Sequence, residues 1–249
     1  MENGRDKFYE GAFARTRLVM GAEALERLKN AAVLVCGIGG VGSHAAEALA
    51  RAGVGRIILA DSDIIAESNL NRQIHADTGS IGLLKTEAMR SRVLSVNPFC
   101  EAEARTVFIS AETIPGLAEG CDFVIDAIDT VASKLALIEH CSAKGLGIIS
   151  CMGTGNKIFP ELLEITDIYK TSVCPLAKVM RGELRKLGIE RLTVCYSPEN
   201  PRKSGGEAPP EPGGLLRPKR QTVGSVSFVP PVAGFLMAGH VIREIAGPL

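Results

Sequence analysis

VLVCGIGGVG, residues 33–42, is an apolar run that breaks into four glycines. Gly37, Gly39 and Gly42 fit G-x-G-x-x-G, and a helix-like segment, 43–51, follows at once, so the stretch reads as a buried strand entering a nucleotide-binding turn. Without a Cβ the chain can turn tightly and let phosphate oxygens approach its N–H groups at a helix N-terminus, whose dipole favours anions. An ordinary glycine-rich strand-to-helix turn has the same spelling, so the surrounding chain has to decide.

Outward from this stretch the sequence has an α/β rhythm. A strand at 56–60 ends in Asp61, near the separation of roughly 20 residues at which dinucleotide folds place the acid that holds ribose hydroxyls. Apolar residues at 33–36, 56–60 and 123–127 do not alternate with polar ones, as in a parallel sheet covered on both faces. Helices are expected at 85–96, stopped by Asn97-Pro98, and at 111–119, 131–144, 175–187 and 232–245. Further strands are expected at 101–107, 146–150, 162–168, 191–197 and 225–229. The expected fold is a Rossmann-like, mostly parallel sheet with helices on both faces and an antiparallel C-terminal extension. Residues 1–30 read as a polar arm and a short amphipathic helix carrying Ala24, Leu25 and Leu28. One domain over 1–249 results, with a core at 31–153 and an extension at 154–249. Its proline- and glycine-rich stretch, about 198–220, is expected to be a mobile loop.

Composition narrows the class further. Twenty-eight basic residues balance 28 acidic ones, which neither demands nor excludes a nucleic-acid partner. Seven cysteines without a C-x-x-C pair make neither a disulfide framework nor a zinc ribbon readable. The first residues are polar and no apolar run reaches membrane-spanning length, so a cytoplasmic location is expected, with peripheral membrane association left open.

Long loops at strand ends are where α/β sheets build sites. Residues 62–84 form such a loop, with Asp63, Asn69, Asn71, Arg72, Gln73 and His75 in it. Asp126 and Asp129 stand at the end of the next buried strand, just before a helix, where capping and metal binding are both open readings.

The ordered set GIGGVGS, Asp61-x-Asp63, Asn69-Leu-Asn-Arg72-Gln73, Lys85 opening a helix and Asp126-x-x-Asp129 resembles the ThiF/MoeB/ubiquitin-activating family of ATP-dependent adenylyl-transfer enzymes. The resemblance implies ATP rather than a nicotinamide dinucleotide, held by Gly37, Gly39, Gly40, Gly42, Asp61, Asp63, Asn69, Arg72, Gln73 and Lys85. It implies Mg2+ on Asp129, and catalysis by Arg72, Lys85, Asp129 and Arg17, the last reaching across a homodimer. Arg15 is the second candidate for that arm.

Within the family, Asn71-Arg-Gln-Ile-His75-Ala, Asp126-Ala-Ile-Asp129, Ala136-Leu-Ile with Cys141, and Val194-Cys195-x-Ser197 look like the branch that dehydrates threonylcarbamoyladenosine in tRNA. The implied partner is a modified tRNA, not DNA. The alternative is adenylylation of the C-terminus of a ubiquitin-like sulfur carrier, whose enzymes usually carry paired C-x-x-C motifs. A cysteine desulfurase or sulfur-acceptor protein is a further candidate partner. Cys174 and Cys195 read as buried structural thiols, with sulfur acceptor as the other reading. Basic residues concentrate after 180, at Arg181, Arg185, Lys186, Arg191, Arg202, Lys203, Arg217, Lys219 and Arg220, and are candidates for a tRNA surface.

Overall fold

The computed structural model describes residues 2–203 and 223–248. Three short helices open the chain: α1 (Glu2–Ala12), α2 (Ala14–Met20) and α3 (Ala22–Asn30). The polar arm expected at the start is therefore helical. Its few aromatic residues explain why, since Tyr9 and Phe13 bury themselves with Leu25 and turn the arm into a cap on the fold. Tyr9 Oη accepts from Asn97 Nδ2 at 3.1 Å, tying the cap to the turn at Asn97.

The core follows in alternation: β1 (Ala32–Cys36), α4 (Gly42–Ala52), β2 (Arg56–Asp61), α5 (Lys85–Val96), β3 (Glu101–Thr106), α6 (Ile114–Ala118), β4 (Phe123–Asp126), α7 (Val131–Lys144) and β5 (Gly147–Cys151). Then come β6 (Glu164–Asp167), α8 (Pro175–Lys186), β7 (Thr193–Tyr196) and α9 (Val229–Ala246). One seven-stranded sheet has the order β3-β2-β1-β4-β5-β7-β6. Among the described residues every strand pairing in this sheet is parallel except β6 with β7, so the antiparallel extension there is one edge strand.

Both faces are covered, which is why the strands lack alternation. Val33 and Val35 face a layer built from α4, α5 and α9, while Leu34 and Cys36 face α6 and α7. A third cluster, with Met180, Leu184 and Val194, seats α8 on the far end of the sheet. Among the described residues, no helix is long and apolar enough to cross a membrane.

Two expected elements differ. Residues 111–119 give only the short α6, with a proline in its first turn. The strand expected at 225–229 is absent. Ser225 O accepts instead from Asn71 Nδ2 at 3.0 Å, and Val229 already begins α9, whose first turn takes Pro230 and Pro231 because N–H groups there need no helical partner. Residues 204–222, most of the expected mobile loop, and with them Arg217, Lys219 and Arg220, lie outside the described residues.

Candidate active site

The chain leaves β1 toward β2 on one side and β4 on the other, so a crevice opens between the carboxyl ends of β1 and β4. Gly37 stands there with φ +86°, a left-handed conformation, and a Cβ on it would lie 2.7 Å from Ala127 O at the end of β4. A Cβ on Gly42 would meet Gly37 O at 1.8 Å. Those two glycines are structural requirements of the turn. Gly39 differs: nothing among the described residues lies within 4 Å of its Cβ position, and it lines a cavity of about 380 Å³.

That cavity gathers most of the residues expected from sequence: Gly37, Gly39, Gly40, Asp61, Asp63, Asn69, Arg72, Gln73, Lys85 and Asp129 all line it. Gly42 sits just behind, as the first residue of α4. Arg17 does not line the cavity; it is exposed on α2, a helix with no buried residue, next to Leu18 and Val19, which are 85% and 84% exposed.

Asp61 braces the turn. Its Oδ2 accepts from Ile38 N at 2.6 Å and its Oδ1 from Asp63 N at 2.8 Å. Burial pushes its carboxyl upward in pKa, opposed by Lys85 and by these two N–H donors. The long loop after Asp61 returns as an isolated antiparallel bridge, Ile64 with Leu84, which delivers Lys85 beside Asp63. Lys85 is only 7% exposed, and its Nζ lies 2.9 Å from Asp63 Oδ2.

The rest of the loop is held by its own side chains. Asn69 Oδ1 accepts from Ala66 N at 3.1 Å, and Arg72 Nη1 donates to Ser68 O and Asn71 Oδ1, each at 2.8 Å. Gln73 lines the cavity wall and is buried, and its Oε1 has no hydrogen-bond partner among the described residues. His75 is also buried, and neither ring nitrogen has a partner among the described residues; burial lowers its pKa to about 4, so the ring is neutral.

At the end of β4 the two acids divide their roles. Asp126 is fully buried, with Oδ2 accepting from Lys134 Nζ at 2.8 Å and Ser150 Oγ at 2.5 Å, and Oδ1 accepting from Ile128 N at 3.1 Å. It therefore fixes the turn that carries Asp129. Asp129 is exposed at the cavity and does not cap α7, whose N-cap is Thr130.

Several lining residues carried no sequence signal. Val107, Phe108 and Ile109 follow β3, Thr154 and Gly155 follow β5, and Val223 to Ser225 close the wall from a distant part of the chain. Thr154 and Gly155 follow strand 146–150 as Asp61 and Asp129 follow theirs, a position that could have flagged them. Cys174 and Cys195 are both buried free thiols, and burial raises the Cys195 pKa well above its ordinary value.

A glycine turn, an acid on the neighbouring strand and a buried lysine facing one cavity at the switch point define a nucleotide-binding α/β protein. The chain belongs to the ThiF family, which it matches over residues 13–248. It is 43% identical over 238 residues to a tRNA threonylcarbamoyladenosine dehydratase of Bacillus subtilis, covering 94% of each chain. Against the Escherichia coli enzyme of the same name it is 34% identical, covering 94% of this chain and 92% of the relative. A crystal structure of the E. coli enzyme in complex with ATP superposes with a TM-score of 0.85 at 32% identity, covering 95% and 94% of the two chains.

Proposed function

We propose that this chain is an ATP-dependent tRNA threonylcarbamoyladenosine dehydratase that works through an acyl-adenylate. The observation that carries the reading is the cavity at the switch point, in which the glycine turn, Arg72 and Lys85 face one another within a fold shared over nearly its whole length with an ATP-bound enzyme of that activity. The match from residue 13 to 248 supports reading the chain as one domain of this kind.

The reaction needs little covalent help from the protein. A carboxylate oxygen of the threonylcarbamoyl group attacks the α-phosphorus of ATP and pyrophosphate leaves. The carbamoyl of the same group then closes onto the activated carbonyl, loses its proton, and AMP departs with the carboxylate oxygen. The net loss is one water. Both steps are positioning and charge stabilisation, and the second is intramolecular, so no cysteine is required.

Roles follow from where the residues stand. The turn at Gly37 to Gly42 offers N–H groups and the N-terminus of α4 to phosphate oxygens. Asp61 keeps acceptor capacity for a ribose hydroxyl beside its two backbone bonds. Lys85 can exchange Asp63 for a phosphate oxygen, and the Arg72 guanidinium can donate to the same group.

Asp129 suits Mg2+. A hard divalent ion takes one or two carboxylates plus substrate phosphates, and Asp129 offers one carboxylate at the cavity. Among the described residues no group of three or more His, Cys, Asp or Glu could cage an ion alone, which favours an ion held jointly with the nucleotide. When bound, Mg2+ supplies neutralisation of the triphosphate charge.

Arg17 enters this account through a second copy of the chain. α2 packs only Met20 partly against the core and leaves Arg17 beside two exposed aliphatic residues, Leu18 and Val19, the composition expected of a helix covered in a homodimer. The burial of Cys174 and Cys195 supports structural thiols over sulfur acceptors.

The test is isotope exchange between pyrophosphate and ATP. Exchange should depend on threonylcarbamoyl-modified tRNA and be absent with unmodified tRNA. Exchange driven instead by a carrier protein with a free C-terminal glycine would replace this reading with the alternative.

A further inference from the structure

The wall of the cavity at Thr154 and Gly155 continues into a segment built with unusual care. Asn156, with φ 58°, donates its N–H to Gly224 O at 2.8 Å and accepts from Gly224 N at Oδ1, 2.7 Å. Its carbonyl accepts from Arg202 N at 2.8 Å. Lys157 is buried and donates to Ser197 O at 2.6 Å.

Glu199, also buried, holds the next two residues. Its carboxylate accepts from Ile158 N at 3.0 and 3.2 Å and from Phe159 N at 3.1 Å, while its own N–H donates to Ser197 Oγ at 3.1 Å. A buried carboxylate and a buried ammonium are costly unless their geometry is satisfied, so this backbone is firmly fixed. What it presents to solvent is Phe159, 41% exposed, with the Arg202 guanidinium 5.9 Å from the ring centroid.

We propose that Phe159 and Arg202 form a stacking platform at the rim of the cavity for the base that adjoins the modified adenosine in a single-stranded tRNA loop. This rests on the dehydratase reading. The adenosine must bring its carboxylate to the α-phosphate inside the cavity, so its neighbours in the RNA chain lie over the rim. Arg202 is one backbone hydrogen bond from Asn156, which follows the lining residue Gly155. Single-stranded RNA is recognised by stacking on aromatic rings and arginine planes, and a ring already topped by a guanidinium is a stack that a base extends. The same guanidinium, with exposed Lys203 beside it, supplies positive charge for the phosphate next to that base.

The experiment uses the full chain and a threonylcarbamoyl-modified anticodon stem-loop carrying 2-aminopurine next to the modified base. Wild type and Phe159→Trp should quench the 2-aminopurine on binding and convert the RNA. Phe159→Ala should bind about tenfold more weakly and lose the quench, and Arg202→Ala should weaken binding with a shallower salt dependence. ATP affinity, measured in parallel without RNA, should be unchanged in all three variants. Wild-type conversion together with unaltered RNA affinity and quench in Phe159→Ala overturns the platform alone, as does an equal loss of ATP affinity. Failure of the wild type to bind or convert the RNA removes the dehydratase reading and the platform with it.

Discussion

Asp63 holds Lys85 twice: its carbonyl accepts the Lys85 N–H at 3.1 Å, and its Oδ2 lies 2.9 Å from Lys85 Nζ. The first bond fixes where α5 starts and the second aims the ammonium at the cavity. Lys85→Ala should therefore lower kcat by about 10²- to 10³-fold, the usual loss when one charge-stabilising donor is removed, with little change in melting temperature. Asp63→Asn keeps the backbone bond and should cost about tenfold or less. Equal losses in the two variants, measured by single-turnover kinetics, would mean that Lys85 acts only through Asp63.

The glycines of the turn should separate by function. Gly42→Ala places a methyl on Gly37 O and should destabilise the fold by about 3 kcal/mol, the upper end of the usual cost of overpacking. Gly39→Ala meets nothing in the fold but intrudes on the cavity, so its melting temperature should match wild type while ATP affinity falls about tenfold. Calorimetric melting and ATP titration of both variants check this. A Gly39→Ala variant with full ATP affinity would contradict the placement of phosphates at this turn.

His75 should make the protein acid-sensitive. Its folded-state pKa, about 4, lies below the ordinary 6.5, so between those values the unfolded chain takes up a proton that the folded chain refuses. Stability is then fully present above pH 6.5, falls as the pH drops toward 4, and falls no further through this group below 4. The contribution is up to roughly 3 kcal/mol, and His44 and His240, also lowered by burial, act in the same direction. Urea midpoints at pH 7 and 5 should converge in His75→Leu relative to wild type. An unchanged difference would show that His75 is not the source.

Arg17 gives a test that separates its role from folding. If it serves the cavity of a second copy, Arg17→Ala and Lys85→Ala homodimers are each inactive, but mixed dimers carry one intact site. Co-expression of the two variants with different tags, followed by tandem purification, should recover about half of wild-type turnover per dimer. No recovery in a verified mixed dimer would mean that Arg17 does not act across the dimer, and full activity of the Arg17→Ala homodimer would place Arg17 outside the reaction.

Much of this was legible in the sequence because the backbone demands it. Gly37 needs a left-handed φ and Gly42 has no room for a Cβ, so the spacing of the turn is a steric signature. Asp61 and Lys85 were readable because one ends a strand and the other opens a helix, and Asp129 because it lies in the short turn between β4 and α7. Phe108 and Val223 were not, since they reach the cavity only through the order of strands in the sheet and the return of the chain ahead of α9. The helices α1 and α2 were missed for a related reason: α1 is polar, α2 leaves its aliphatic residues exposed, and what orders them is the burial of Tyr9 and Phe13, a tertiary effect with no period to read. For Asp126 capping and metal binding were both open; only the approach of Lys134 and Ser150 shows that it is a brace.

The most direct test of the account is the mass of the modified base after the protein is incubated with ATP, Mg2+ and threonylcarbamoyl-modified tRNA. Loss of one water from the base is expected, with one AMP and one pyrophosphate formed per tRNA converted. An unchanged base mass, with AMP joined instead to the C-terminus of a sulfur-carrier protein, would contradict it.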